Sequence, residues 1–298
     1  MGIPGRIRRQ HGRHSLVDGI PFPVPINTEQ SPAIMAVFPI DYDRARALLP
    51  GNEIHPVRLW KKALLVVAII NYEVTDIGKY IEFSVGIACT HGKKPAPRLL
   101  PGLFMRHYGT GQYVVDLPVS SEISVKGGKG IWGMPKHQGN LDFKISENTV
   151  SSQYELDGRL VMKLTIDRPK SAWLPLNVRG VNYCGFRGLL MKSTVYFKAK
   201  AGFSLFKKGA ASLVLGDHPR TQPIRDLDVG NEPIATVFIP EVNGVLDDHF
   251  EGWFLTFPQA PDAAPEGFES VINLGHSQEW LAAPSIEVDE PGRDGAGD

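Results

Sequence analysis

Apolar and polar residues alternate with a period of two over much of the chain, the pattern of strands with one buried face. Leu141, Phe143 and Ile145 alternate, Ser146-Glu147-Asn148 turns, and residues 150–156 run back to Asp157-Gly158, a strong hairpin signal. Leu160, Met162, Leu164 and Ile166 then alternate in a third strand. Upstream, residues 33–38 read as a buried strand ending at Pro39. Asp41 caps a helix over 42–49 that buries Ala45, Leu48 and Leu49 and stops at Pro50-Gly51. The near-continuous apolar run 63–70 predicts a strand buried on both faces. After a turn at Thr75-Asp76-Ile77-Gly78, a strand over 79–88 puts Tyr80, Glu82, Ser84 and Gly86 on one face and Ile81, Phe83, Val85 and Ile87 on the other. Residues 112–125 predict an extended pair around Leu117-Pro118, and 194–199, 210–215 and 235–239 supply later strands. Few segments carry helical periodicity. The fold class is mainly β (α+β), an antiparallel sheet curled into a barrel or sandwich with a few short helices.

Composition narrows this picture. With 298 residues the chain has length for one large core, and 24 prolines and 31 glycines favour turns over long helices. A formal net charge of zero gives no case for nucleic acid or an anionic membrane as partner. Cys89 and Cys184 sit in apolar surroundings without metal-ligand spacing and read as buried free thiols, which fits the cytoplasm. No apolar run approaches the ~20 residues of a spanning helix. Arg6, Arg8, Arg9 and Arg13 mark residues 1–30 as a basic arm, residues 31–282 read as a single domain, and the Pro-, Gly- and acid-rich 283–298 reads as a disordered tail.

The candidate chemistry lies in the glycine-rich stretch from Val125 to Asn140. Three readings compete for it: a phosphate cradle, a dinucleotide fingerprint and an amine nucleophile. Gly128-Lys129-Gly130-Ile131-Trp132-Gly133 matches G-x-G-x-x-G, but that fingerprint needs its glycines to open a helix, and here Pro135 follows at once and the chain goes on to a strand. No Gly-Lys-Ser/Thr completes a P-loop, and the nine histidines show no zinc pattern. Lys136 remains, directly behind Met134-Pro135 and close to Trp132. An amine nucleophile has to be neutral, against an ordinary lysine value of ~10.4. His137 supplies little of that push and in an extended segment points to the other face. Desolvation in an apolar pocket has to do most of it.

With these residues in view the chain resembles the acetoacetate decarboxylase superfamily. Residues 34–50 resemble its N-terminal strand, Asp cap and helix, and Gly78-Lys79-Tyr80-Ile81-Glu82 its Gly-x-Tyr-x-Glu strand. Gly133-Met134-Pro135-Lys136 resembles its aromatic-Pro-Lys turn, with Met134 in place of the aromatic. Ala210-Ala211-Ser212-Leu213, Asp217-His218-Pro219, Asp226-Leu227 and residues 235–240 continue the likeness, which covers roughly residues 30–255. The resemblance implies a cone-like antiparallel barrel, a homo-oligomer, and a lyase that needs no cofactor or metal. Lys136 would form a Schiff base with a keto acid or ketone, and Glu82 would handle protons or position substrate. Tyr80, Trp132, Met134, His137 and Val67 are the candidate substrate-binding positions.

The sequence also departs from the family. His137 stands where a second lysine is usual, and Lys129-Gly130 where Arg-Glu is usual. Aligned without gaps, a pocket arginine falls at Ser31 and a second pocket glutamate at Val67. An apolar Val67 suits a larger or less polar substrate than acetoacetate. Arg98, Arg106 and Lys129 are the candidate replacement cations. The simplest implied reaction is decarboxylation of a β-keto acid. An aldolase-dehydratase or cyclase using the same lysine, and a ligand-binding barrel without turnover, are the alternatives.

Overall fold

Strand β3 (Ile26–Asp41) is the longest segment of the amino-terminal half, and its neighbours on both sides define the molecule. The computed structural model describes residues 12–258. A hairpin of β1 (His14–Val17) and β2 (Ile20–Pro23) precedes β3, turning at Asp18-Gly19, both with positive φ. Residues 14–17, 20–23 and 26–30 are therefore strand, where a ragged arm was expected. Residues 1–11 of the arm and the predicted tail 283–298 lie outside the described residues.

Asp41 closes β3 and caps α1 (Tyr42–Leu48), its carboxylate accepting from the backbone N–H groups of Asp43 and Arg44 at 3.0 Å each. Then come β4 (Ile54–Pro56), β5 (Lys62–Tyr72), β6 (Val74–Thr75), β7 (Tyr80–His91) and β8 (Gly111–Val119). Helix α2 (Glu122–Trp132) leads into β9 (Lys136–Gln138). A small sheet follows: β10 (Asn140–Leu141), β11 (Lys144–Ile145), β12 (Thr149–Leu156) and β13 (Arg159–Asp167). The chain then returns to the large sheet with β14 (Leu174–Phe186) and β15 (Leu189–Leu205), adds β16 (Ala211–Leu215) to the small sheet, and ends with β17 (Ala235–Leu246) and β18 (Glu251–Phe254).

Strands pair in the order β7-β5-β3-β17-β15-β14-β8, and β8 pairs back onto β7, so seven strands close a barrel and abolish the edges an open sheet would expose. The sandwich alternative is excluded by that closure. The barrel is mixed where an antiparallel one was expected: β8 runs parallel to β9 across the α2 crossover, and parallel to β14, which follows the inserted strands β10 to β13.

Packing follows from the pleat. Leu65, Val67 and Ile69 of β5 and Phe83, Val85 and Ile87 of β7 point out of the barrel into the main core. There they meet Val150, Tyr154, Leu164 and Ile166 of the small sheet. The other face of the same strands, Val66, Ala68 and Ile70 on β5 and Tyr80, Glu82 and Ser84 on β7, lines the barrel interior. The apolar run of β5 is thus core on one side and cavity wall on the other, not core on both.

Candidate active site

The barrel encloses a cavity of about 490 Å³, within the range of small-molecule sites, walled mainly by Ile, Val, Leu, Met and Ala. Lys136 enters it from β9. Its residue is 4% exposed, and its Nζ lies 2.7 Å from Glu82 Oε2 and donates to Ser124 Oγ at 2.9 Å. Burying such a pair costs several kcal/mol per ion before the Coulomb gain is counted, so its presence is poor evidence for stability and better evidence for chemistry. The Tyr80 ring lies 5.4 Å from Nζ and stacks on Tyr72 with centroids 4.5 Å apart. Burial, reinforced by the Glu82 charge, holds both phenols far above the ordinary tyrosine range, so they stay neutral beside the lysine.

Local sequence explains how the lysine is delivered. Residues 125–132 of the glycine-rich stretch belong to α2, a helix that begins inside the segment 112–125 expected to be extended. Its glycines are positions of close approach. A Cβ on Gly127 would meet Phe22 at 2.8 Å, one on Gly130 would meet Val17 at 2.5 Å, and one on Gly128 would meet the Lys136 stem at 2.4 Å. Gly133 ends the helix in left-handed geometry, φ 64°, its N–H bonded to Lys129 O and that of Met134 to Gly128 O. Pro135 then forbids another turn and the chain extends into β9. The G-x-G-x-x-G match thus closes a helix and presents no helix N-terminus to a phosphate.

The other sequence candidates separate into two sets. Tyr80, Glu82, Met134 and Lys136 line the cavity together. Trp132 does not; it packs with Cys184 behind the lining residues Leu117 and Ile26. Val67 lies in the main core, facing away from the cavity, because a one-residue offset in a strand exchanges faces. His137 also faces away: its Nε2 is 2.7 Å from Tyr154 Oη and its Nδ1 3.5 Å from Asp116 Oδ1. Burial first, and then the Arg220 charge, bring the imidazole down to about 4. Ser31 is buried against Thr28. Arg98, Arg106 and Lys129 are not on the lining; the cation that joins Lys136 there is Arg179. Both cysteines are buried and free, and burial drives the Cys184 thiol up to about 12.

Sequence reasoning missed Ser124, Tyr72, Gln112 and Asn182, all within or against the site. Ser124 was findable: Ser121-Glu122 before it and Gly133-x-Pro135 after it are helix start and stop signals, masked by the glycines between them. Asn182 sits in β14, whose long hairpin with β15 turns at Arg187-Gly188 and carries no clear alternation.

With this geometry in hand, the family model for acetoacetate decarboxylase (ADC) matches residues 12–249. The chain belongs to the acetoacetate decarboxylase family. Among solved structures it is similar to the acetoacetate decarboxylase of Legionella pneumophila, at 15% identity and a TM-score of 0.55, covering 75% of this chain and 85% of that one. It is similar also to the enduracididine biosynthesis enzyme MppR in complex with pyruvate, at 17% identity and a TM-score of 0.54, covering 79% and 91%. An acetoacetate decarboxylase-like enzyme from Sphingomonas wittichii matches at 16% identity and a TM-score of 0.50, covering 80% and 98%. Among curated proteins none matches. The chain is an enzyme of the acetoacetate decarboxylase-like kind. No helix among the described residues is long and apolar enough to cross a membrane.

Proposed function

We propose that this protein decarboxylates a β-keto acid through a Schiff base on Lys136. The observation that supports the reading is a lysine amine inside an apolar barrel with one carboxylate 2.7 Å away and a hydroxyl at 2.9 Å. Glu82 takes a proton from the ammonium, and the free amine adds to the ketone carbon. Glu82 passes that proton to the carbinolamine hydroxyl, which leaves as water and gives an iminium. The bond to the carboxylate then breaks, its electron pair moves into the enamine, and carbon dioxide leaves. Glu82, reprotonated from solvent, gives a proton to the enamine carbon, and water hydrolyses the iminium to release the ketone and the lysine ammonium. Ser124 holds the lysine nitrogen in place through these steps.

The same enamine, met by an aldehyde instead of a proton, gives a carbon–carbon bond. A solved structure of MppR holds the condensation product of pyruvate and imidazole 4-carboxaldehyde, which is the precedent for that second reading. The cavity volume of about 490 Å³ and its mainly apolar wall suit a substrate larger and less polar than acetoacetate.

Borohydride reduction in the presence of methyl ketones, read by intact mass, tests the Schiff base. Wild type gains the mass of the reduced adduct and Lys136→Ala does not; adduct on Lys136→Ala, or none on wild type, ends the reading. Glu82→Gln folds, traps ketone more slowly because the amine loses its base, and releases carbon dioxide ~10²–10⁴-fold more slowly, the worth of a positioned acid–base.

A further inference from the structure

Away from Lys136 the cavity wall carries a second polar group that the Schiff-base chemistry does not use. Gln112 Nε2 donates to Asn182 Oδ1 at 2.9 Å and makes a longer contact of 3.4 Å to Ser84 Oγ. All three residues line the cavity, each from a different barrel strand: Ser84 from β7, Gln112 from β8 and Asn182 from β14. Both acceptors are occupied by one amide, which leaves the Asn182 amide N–H groups and the Ser84 hydroxyl proton without an acceptor among the contacts formed. Gln112 Oε1, on the other side of the same amide, is buried and has no hydrogen-bond partner. The side of the row left for a ligand is that of the Asn182 N–H groups and the Ser84 hydroxyl, and in a mainly apolar wall these groups call for a partner from outside the protein.

Placement relative to the lysine sets what that partner is. Ser84 follows Glu82 by two residues on the same face of β7, so the two side chains start ~7 Å apart. A molecule joined to Lys136 Nζ through its ketone carbon reaches the row when an oxygen lies some four to six bonds further along. On β5, Ala68 lies opposite Ser84 and Ile70 opposite Glu82, and with Val114 they present hydrocarbon to the cavity beside the two polar points. Nothing in the row carries a charge, so it suits a neutral oxygen and not a second carboxylate.

We infer that Ser84, Gln112 and Asn182 form a specificity subsite. The substrate it selects is a medium-length keto acid whose aliphatic chain carries a neutral ether, hydroxyl or carbonyl oxygen four to six bonds from the ketone carbon. This deepens the Schiff-base reading and rests on it. Acetoacetate would leave the row unpaired.

The test uses two isosteric methyl ketones with the full-length protein: octan-2-one, and the analogue with an ether oxygen five bonds from the carbonyl carbon. The rate of borohydride-trapped adduct is measured for each at subsaturating ketone. Wild type traps the ether ketone about tenfold faster, the worth of one good hydrogen bond made in place of an unpaired group. Asn182→Leu and Ser84→Ala lower that preference toward unity while trapping of octan-2-one persists, which also reports that each variant is folded. Equal trapping of the two ketones by wild type overturns the subsite and leaves the Schiff base standing. A preference that survives in both variants also overturns it. No adduct with either ketone removes the Schiff base and the subsite with it.

Discussion

At Gly128 the lack of a side chain decides where the lysine goes. The Lys136 stem lies in the space a Cβ would occupy, 2.4 Å from its Cδ and 2.8 Å from its Cε. Gly128→Ala improves helix propensity by ~1 kcal/mol and adds overpacking of ~1–3 kcal/mol, so the net change in stability stays within ~2 kcal/mol. Function is the more sensitive quantity. A displacement of the amine by about 1 Å from its approach to the ketone costs ~10²-fold, so adduct formation falls by that order while the melting temperature moves little. A variant that traps ketone at the wild-type rate contradicts this account of the glycine. Glu82 and Val67 make the complementary point. Both are single residues on barrel strands, yet one faces the cavity and the other the core, and only the pleat separates them.

Among the elements, β9 matters out of proportion to its three residues. Its Lys136 points into the barrel and its His137 points out toward β12, where Tyr154 and the buried Asp116 of β8 receive it. Arg220 closes the group, its Nη1 3.1 Å from Asp116 Oδ1. Burial raises Asp116 from 3.8 to about 6 against the pull of Arg220, so the fold favours the protonated acid and this group's contribution to stability falls as pH rises from about 4 to about 6. His137 is lowered from 6.5 to about 4, chiefly by burial, so the fold favours the neutral ring and its contribution rises with pH between about 4 and 6.5. The two slopes oppose each other in the wild type. Asp116→Asn removes the falling one, so the melting temperature of the variant minus that of wild type increases from pH 4 to pH 6. A difference that is flat or decreasing over that range would refute the assignment. Helix α2 is the other element that sequence pattern misjudged. Three glycines in its body cost it ~1 kcal/mol each in propensity, and contacts with the β1–β2 hairpin and the Lys136 stem outweigh that.

For the whole molecule, barrel closure separates two apolar volumes that the sequence presents as one. Side chains pointing outward from β3, β5 and β7 are covered by the small sheet and make the core; those pointing inward stay apart and leave the cavity. Enlarging an inward residue therefore subtracts from the substrate, not from a packed core. Ala68→Phe, on the inward face of β5, is expected to keep trapping a three-carbon ketone while its trapping of an eight-carbon ketone falls ~10-fold or more. Loss of both together points instead to a damaged fold, which a thermal melt would reveal.

Much of this was legible in the chain alone. The strand character, the Asp157-Gly158 hairpin, the Asp41-capped helix and the two faces of β7 follow from local alternation and turn chemistry, which act over a few residues and need no tertiary partner. The Pro135-Lys136 turn and Glu82 stood out by residue type and order. What only the tertiary structure decided was which apolar faces meet and which do not. Ring closure through β8 turned one face of the sheet into a cavity wall. Close packing made a helix of a glycine run, and a one-residue offset sent Val67 and His137 away from the lysine. Ser84, Gln112 and Asn182 lie on three strands far apart in sequence, so their meeting depends on long-range register, which no local pattern encodes.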